Sequence, residues 1–292
     1  MSELGALMQS FVDHKGWHDL EGIRETVIPG VHFYRSSLGN QRQPFIYQSG
    51  IIVMGQGHKN IHIGNQPVSY GPDDYLVVGV PMPLECEALP QDEEPLLGLT
   101  ISIDSKILNR IVRRLEELGF QNTRQCKQEN CGLKSVRMEN DMLESCKRMM
   151  LALHNDLEAK VLGESLLEEI VYRALTSSEG YVLFELAHHD GHYARVAKAL
   201  SKVHKEYSDS LTVQELAEEA NMSISAFHQA FRSVTLESPL QYLKKVRLNK
   251  AKELIQFEGK RVNEAARLVG YSSSSQFSRE FKRHFNSTPK GA

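Results

Sequence analysis

The sequence predicts an α+β protein of two domains: an N-terminal β-barrel with a helical extension, then an all-α domain of two helix-turn-helix units joined by a long helix. Three observations lead there. The 292 residues suffice for about two domains at roughly 150 residues each. From about residue 26 to 103 the chain is rich in Val, Ile, Tyr and Phe and punctuated by Gly and Pro, as short strands are. Beyond residue 104 the apolar residues recur every three or four positions, and after residue 192 one pattern of helical punctuation occurs twice.

The first segment places Leu4, Leu7, Met8 and Phe11 on one helical face. Strands follow, divided by Pro29-Gly30, Gly39-Asn40, Gly64-Asn65, Gly71-Pro72 and Pro81-Met82-Pro83; residues 61–68 read as a tight hairpin turning on Gly64-Asn65. Seven or eight strands without intervening helices point to a barrel or sandwich. Residues 107–118 then put Ile107, Ile111, Leu115 and Leu118 on one helical face, with Gly119 as the stop. Residues 138–154 and 157–175 are also helical, the second carrying Val161, Leu162, Leu166, Ile170 and Val171. Such apolar stripes need cover, from their own barrel or from a second copy of the chain. Residues 176–180 interrupt the helical pattern, so the boundary is expected at 185/186, with a domain of residues 1–185 (barrel 26–103, helices 104–183) followed by one of residues 186–292.

Composition narrows the class. With 41% hydrophobic and 24% charged residues the chain is an ordinary globular one, neither disordered nor fibrous. Its apolar runs, such as residues 51–54 and 96–99, fall far short of the ~20 that cross a bilayer. No basic region precedes an apolar core at the N-terminus, so a cytoplasmic protein with no membrane partner is expected. Cys86, Cys126, Cys131 and Cys146 show no Cys-x-x-Cys spacing, which points to reduced structural thiols; for a redox role of Cys126 and Cys131, Lys127 is the sole activating neighbour. Charge divides the chain. Residues 188–292 hold 17 Lys and Arg against 11 Asp and Glu, a net of +6, whereas residues 1–187 hold 17 against 26, a net of −9. A basic final third suits a polyanionic partner.

Within that third, Thr212 and Glu215 form a capping box, Asn221 suits a left-handed turn, Ser223 caps the next helix, and Phe227 and Phe231 lie one turn apart. The second occurrence has a helix over 262–269, a turn at Gly270-Tyr271-Ser272, and Phe277 and Phe281 in the following helix. Between them residues 239–256 form a helix about 27 Å long at ~1.5 Å per residue, close to the ~34 Å between successive major grooves on one face of B-DNA.

These residues closely resemble the DNA-binding domain of AraC/XylS-type transcription regulators. The matching elements are Leu216-Ala217, Ser223, Phe227 and Phe231; then residues 238–243, Arg247-Leu248 and Ala251; then Ala265, Gly270-Tyr271, residues 276–279, Phe281-Lys282 and Thr288-Pro289. Asn286 replaces the usual glycine, and the aromatic-Arg pair that often follows the proline is missing, which implies one phosphate contact fewer. More loosely, Ile28-Pro29-Gly30, Gly64-Asn65, residues 75–78 and Pro81 resemble the cupin-like N-terminal barrel of one AraC subfamily.

On a recognition helix the residues between the buried phenylalanines face the groove. That selects Ser225, His228 and Gln229 as base readers in the first unit and Ser274, Ser275, Gln276 and Arg279 in the second, with Arg232, Lys282 and Arg283 on phosphates. Gln229 can pair with adenine and the Arg279 fork with guanine O6 and N7. The plain alternative for each is a solvated helix face. The expected protein is therefore a sequence-specific regulator binding double-stranded DNA, with a small-molecule effector in the barrel and a homodimer through its helices as further partners. The resemblance implies RNA polymerase as a partner and activation as the commoner outcome. The alternative is a cupin-type metal-dependent enzyme with an accessory helical domain. No catalytic residue, metal or cofactor is assigned: His58 and His62, four apart on a strand, are ~13 Å from each other, and neither a Gly-x-Ser-x-Gly elbow nor a phosphate loop occurs. His188, His189 and His192 read as a solvated linker.

Overall fold

A computed structural model of the chain describes residues 2–63, 66–90, 94–120, 132–188 and 191–291. Two compact units result, one of Met1–Arg42, Gln48–Gly79 and Cys86–His188, the other of Gln43–Tyr47, Val80–Glu85 and His189–Ala292.

The first unit opens with α1 (Glu3–Lys15), capped by Ser2 Oγ, which accepts from Gly5 N at 2.9 Å, and stopped at Gly16 in the left-handed region. Nine strands follow before the next helix: β1 (Gly22–Glu25), β2 (Val31–Ser36), β3 (Asn40–Tyr47), β4 (Gly50–Gln56), β5 (His58–Ile63), β6 (Gln66–Tyr70), β7 (Asp74–Val78), β8 (Met82–Leu89) and β9 (Leu96–Ile101). A tenth, β10 (Leu133–Arg137), comes after α2 (Ser105–Glu117), beyond the expected end of the strand region, and pairs antiparallel with β7. The expected α+β class stands, but the described strands form two sheets instead of one closed barrel, in the orders β1-β2-β9-β4-β7-β10 and β3-β8-β5-β6. The ladders end at β1 and β10 in one sheet and at β3 and β6 in the other, with no backbone pairing between these edges among the described strands. β4 is buried along its whole length, and α1 covers it so closely that a β-carbon on Gly55 would lie 2.5 Å from Met8 Sδ.

On α2 the buried stripe is Leu108, Val112 and Leu115, turned by about one residue from the expected one; Ile107 and Ile111 are half-buried and Leu118 is exposed. α3 (Asn140–Leu153) and α4 (Asp156–Thr176) pack on each other. α4 buries small residues where large ones were expected: Ala159 and Gly163 face inward, Gly163 against Ile28, whereas Leu157 and Val161 remain 73% and 68% exposed. α5 (Tyr181–Ala187) occupies a stretch expected to hold the boundary, burying Val182, Leu183 and Phe184. His188 is exposed, as expected, but it caps the end of α5, with its Nε2 3.0 Å from Glu116 Oε1 and its Nδ1 2.7 Å from Phe184 O. That backbone contact, then Glu116, raises its pKa above the ordinary value. Cys126, Cys131, the Gly64-Asn65 turn and His189 lie outside the described residues; the strands flanking that turn pair as a hairpin, from Ile63↔Gln66 to Lys59↔Tyr70.

The second unit is built on α6 (His192–Lys205), α7 (Val213–Glu219), α8 (Ile224–Thr235), α9 (Pro239–Gln256), α10 (Val262–Leu268) and α11 (Ser274–Phe285). Both halves of the Thr212–Glu215 capping box form, and Ser223 and Ser273 cap α8 and α11 through Ala226 N and Gln276 N, each at 3.3 Å. Asn221 and Asn286 take positive φ. The second helix-turn-helix turn is one residue longer than the first, running from Gly270 to the cap at Ser273 where Asn221 runs to Ser223. Phe277 and Phe281 close a core with Leu248, Ala251, Ala266 and Val269, while Phe231 meets Tyr242 edge-on at 5.5 Å.

Candidate nucleic-acid interface

α8 and α11 carry the same arrangement. In each, two phenylalanines four residues apart are fully buried, with centroids 5.3 Å apart for Phe227 and Phe231 and 5.5 Å apart for Phe277 and Phe281. This pins one face of the helix and turns the opposite face outward. On that outer face of α8 stand Ser225, His228, Gln229 and Arg232, all exposed; on α11 stand Ser274, Ser275, Gln276, Arg279, Lys282 and Arg283, all exposed. The structure thus gathers the ten selected residues into two rows, one per helix.

Their local partners differ. Ser225, His228, Gln229 and Arg232 make no side-chain hydrogen bond or ion pair among the described residues, nor do Ser274, Ser275, Arg279, Lys282 and Arg283. Gln276 is engaged, because its Nε2 donates to Glu280 Oε1 at 3.2 Å while Glu280 Oε2 accepts from Tyr271 Oη at 2.8 Å. Reading a base with Gln276 requires giving up that contact, which ranks it below Arg279. Arg247 is structural: its Nε donates to Tyr207 O at 2.6 Å and its Nη2 to Asp209 O at 2.7 Å, tying α9 to the segment before α7, and burial lowers its pKa.

Some cations went unselected. A cavity of about 1420 Å³ beside α11 is lined by Arg261, Arg267 and Lys290 together with Arg279 and Lys282. Arg261 stands at the N-cap of α10, Arg267 in its last turn and Lys290 after α11, so the positive surface extends beyond α11. The signal was legible in the 260–261 Lys-Arg pair ahead of α10. Among the described residues no group of three or more His, Cys, Asp or Glu is placed to hold a metal ion.

Residues 27–182, more than half of the chain, match the family model of the AraC-type transcriptional regulator N-terminus. The chain belongs to the AraC-type transcriptional regulators. Residues 216–291 match a helix-turn-helix domain model, which covers α8, α9, α10 and α11. The AraC-type relatives include the HTH-type transcriptional regulator AlkR of Acinetobacter baylyi, 37% identical over 98 residues, or 34% of this chain and 32% of that protein. The activator RclR of Escherichia coli, described as specific for RCS, is 42% identical over 78 residues, or 27% of this chain and 28% of that protein. The matches thus span about a third of each curated relative. In fold, the chain is similar to ToxT of Vibrio cholerae in a structure with bound unsaturated fatty acid, with a TM-score of 0.55 and 12% identity over 89% of this chain and 92% of that one.

Proposed function

We propose that this AraC-type chain is a sequence-specific DNA-binding regulator of transcription that lays α8 and α11 in successive major grooves. The observation that carries the reading is the pair of outward polar rows, each backed by two buried phenylalanines. Ser225, His228, Gln229, Ser274, Ser275, Gln276 and Arg279 face base edges, with Arg279 and Gln229 foremost; Arg232, Lys282 and Arg283 hold phosphates. Residues 186–292 form the DNA-binding domain, and residues 1–185 serve as a sensor that a small molecule biases between states of different DNA affinity. The fatty acid in the similarly folded ToxT supports a small-molecule effector, and the activators among the relatives support a productive contact with RNA polymerase. The exposed Leu157 and Val161 on α4 support a homodimer formed through that helix. No described helix is long and apolar enough to cross a membrane, and a regulator that meets chromosomal DNA works in the cytoplasm.

The test is selection of bound fragments from a random DNA library at near-physiological salt, followed by footprinting of the winner. An enriched motif with two protected segments about one helical turn apart is expected. Unselective binding that vanishes as salt rises would overturn the reading, since phosphate neutralisation alone behaves that way.

A further inference from the structure

We propose that the inner face of the first unit around Lys59 is a binding site for an organic carboxylate with an apolar body, its charge resting on the Lys59 ammonium. As an effector site this rests on the regulator reading above; as a binding site it stands on its own geometry.

Lys59 is 9% exposed and is the one Lys, Arg, Asp or Glu among the buried described residues. Its Nζ lies 3.5 Å from the centroid of the Tyr34 ring, which stands on β2 of the other sheet, so the ammonium sits between the two sheets. Neither a hydrogen-bond acceptor nor a carboxylate reaches it among the described residues. Two other lysines of the unit show the usual answer: Lys15 meets Asp156, and Lys147 meets Glu3 and Glu144, each at 2.8 Å.

Strand alternation explains why no carboxylate among the described residues meets Lys59. Glu87 lies on β8, which pairs with β5, but its side chain accepts from Asn60 Nδ2 at 3.1 Å. Asn60 and Glu87 therefore share one face of the sheet, and Lys59, with Cys86 beside it, takes the other. Burial pushes Lys59 down to about 8, against a smaller upward pull from Cys86, the direction of an ammonium held away from water. A cation so placed is stabilised by whatever anion reaches it.

The surroundings state what else the molecule must be. Tyr70 stands opposite Lys59 in register, Ile61 lies two residues along β5, and Cys86 and Ala88 alternate on β8, so with Tyr34 the buried face that Lys59 shares is one of rings, methyls and a thiol, and an inorganic anion would leave most of it unused. Ile23, paired with Tyr34 in register on the edge strand β1 and exposed, gives the apolar lining an outlet. One negative head and an aliphatic or aromatic body match this arrangement.

The full chain is titrated calorimetrically with octanoate, octanol and octylamine, which share a body and differ in charge. Octanoate is expected to bind about tenfold or more tighter than octanol, with octylamine weakest. In Lys59→Met the preference for octanoate should vanish, while the ligand-free melting temperature holds or rises, because an unpaired buried charge has been removed. Equal binding of octanoate and octanol, no binding of either, or an undiminished preference in Lys59→Met would each overturn the site. Should the variant fail to fold, the wild-type series decides alone. Selective DNA binding in the same preparation without a carboxylate preference overturns this site and spares the regulator reading; a carboxylate preference with unselective DNA binding does the reverse.

Discussion

Gly270 lies so close to Ser208 that a β-carbon on it would stand 2.4 Å from the Ser208 carbonyl oxygen. The flanking carbonyls of Tyr207 and Asp209 are held by Arg247, so the segment cannot retreat, and Gly270 itself has φ +87°. Gly270→Ala is therefore expected to destabilise the helical unit by ~2–4 kcal/mol, through positive φ and overpacking together. Asn221→Gly, at the equivalent bend with φ 50°, should change stability by less than ~0.5 kcal/mol. Urea unfolding followed by circular dichroism separates the two; equal effects would show that the bends are held differently from this account.

Arg279→Ala should weaken binding to the selected operator by ~1–3 kcal/mol and relax the preference at one base position. The comparison is affinity for the operator against random DNA of equal length. A loss of the same size on both would remove Arg279 from the base readers.

Lys282→Ala and Arg283→Ala should instead weaken binding to all sequences alike. Each should lower the slope of log affinity against log salt by about 0.9. An unchanged slope in either variant would place that cation off the DNA.

Acid should loosen the helical unit. Burial first, with Lys250 near His204 and Lys245 near His284, depresses both imidazoles to about 4. Asn249 Nδ2 stands 3.3 Å from His284 Nε2 and also donates to Lys245 O, so that ring nitrogen serves as an acceptor in the neutral imidazole. Because the folded values lie below the unfolded one near 6.5, the unfolded chain binds protons that the folded unit does not. The stabilisation is complete above about pH 6.5 and declines toward pH 4, by up to ~1.4 kcal/mol per pH unit for each histidine. Urea midpoints between pH 6.5 and 4.5 should fall less steeply in His284→Gln than in the wild type; parallel curves would contradict the assignment.

If α4 joins two copies of the chain, a charge placed on its exposed face will part them. Leu157→Glu with Val161→Glu should convert a dimer to a monomer in sedimentation velocity at micromolar concentration, with the melting temperature little changed, since both side chains are largely solvated in the single chain. A wild type that sediments as a monomer at that concentration would refute the interface.

The two halves differ in how plainly the sequence declared them. The helical unit was legible almost to the residue, because its signals are local: a capping box at Thr212 and Glu215, a serine cap before each recognition helix, phenylalanines four apart. The strand-rich unit was legible in class and less so in detail, because its arrangement is decided by partners remote in sequence. Nothing near Leu133 announces that it will pair with Val78, and the seven residues of α5 have no cap hydrogen bond at Gly180 to mark their start. On α4 size misled: Gly163 faces inward because it must press against Ile28, which leaves the larger Val161 outside. Lys59 gave no sign at all, since a lysine in an alternating strand reads as a residue in water.

If α8 and α11 read DNA as proposed, the unbroken course of α9, with Pro239 at its first turn and 18 residues to Gln256, makes them parts of one ruler. One base pair added between the two contacted segments would swing the second by about 35° around the DNA axis and slide it about 3.4 Å away. A tether of loose chain would absorb that change, and a helix will not. On that reading genomic target sites are expected to be words of one fixed length, in which a single inserted or deleted letter at the centre silences the site more thoroughly than a substitution there.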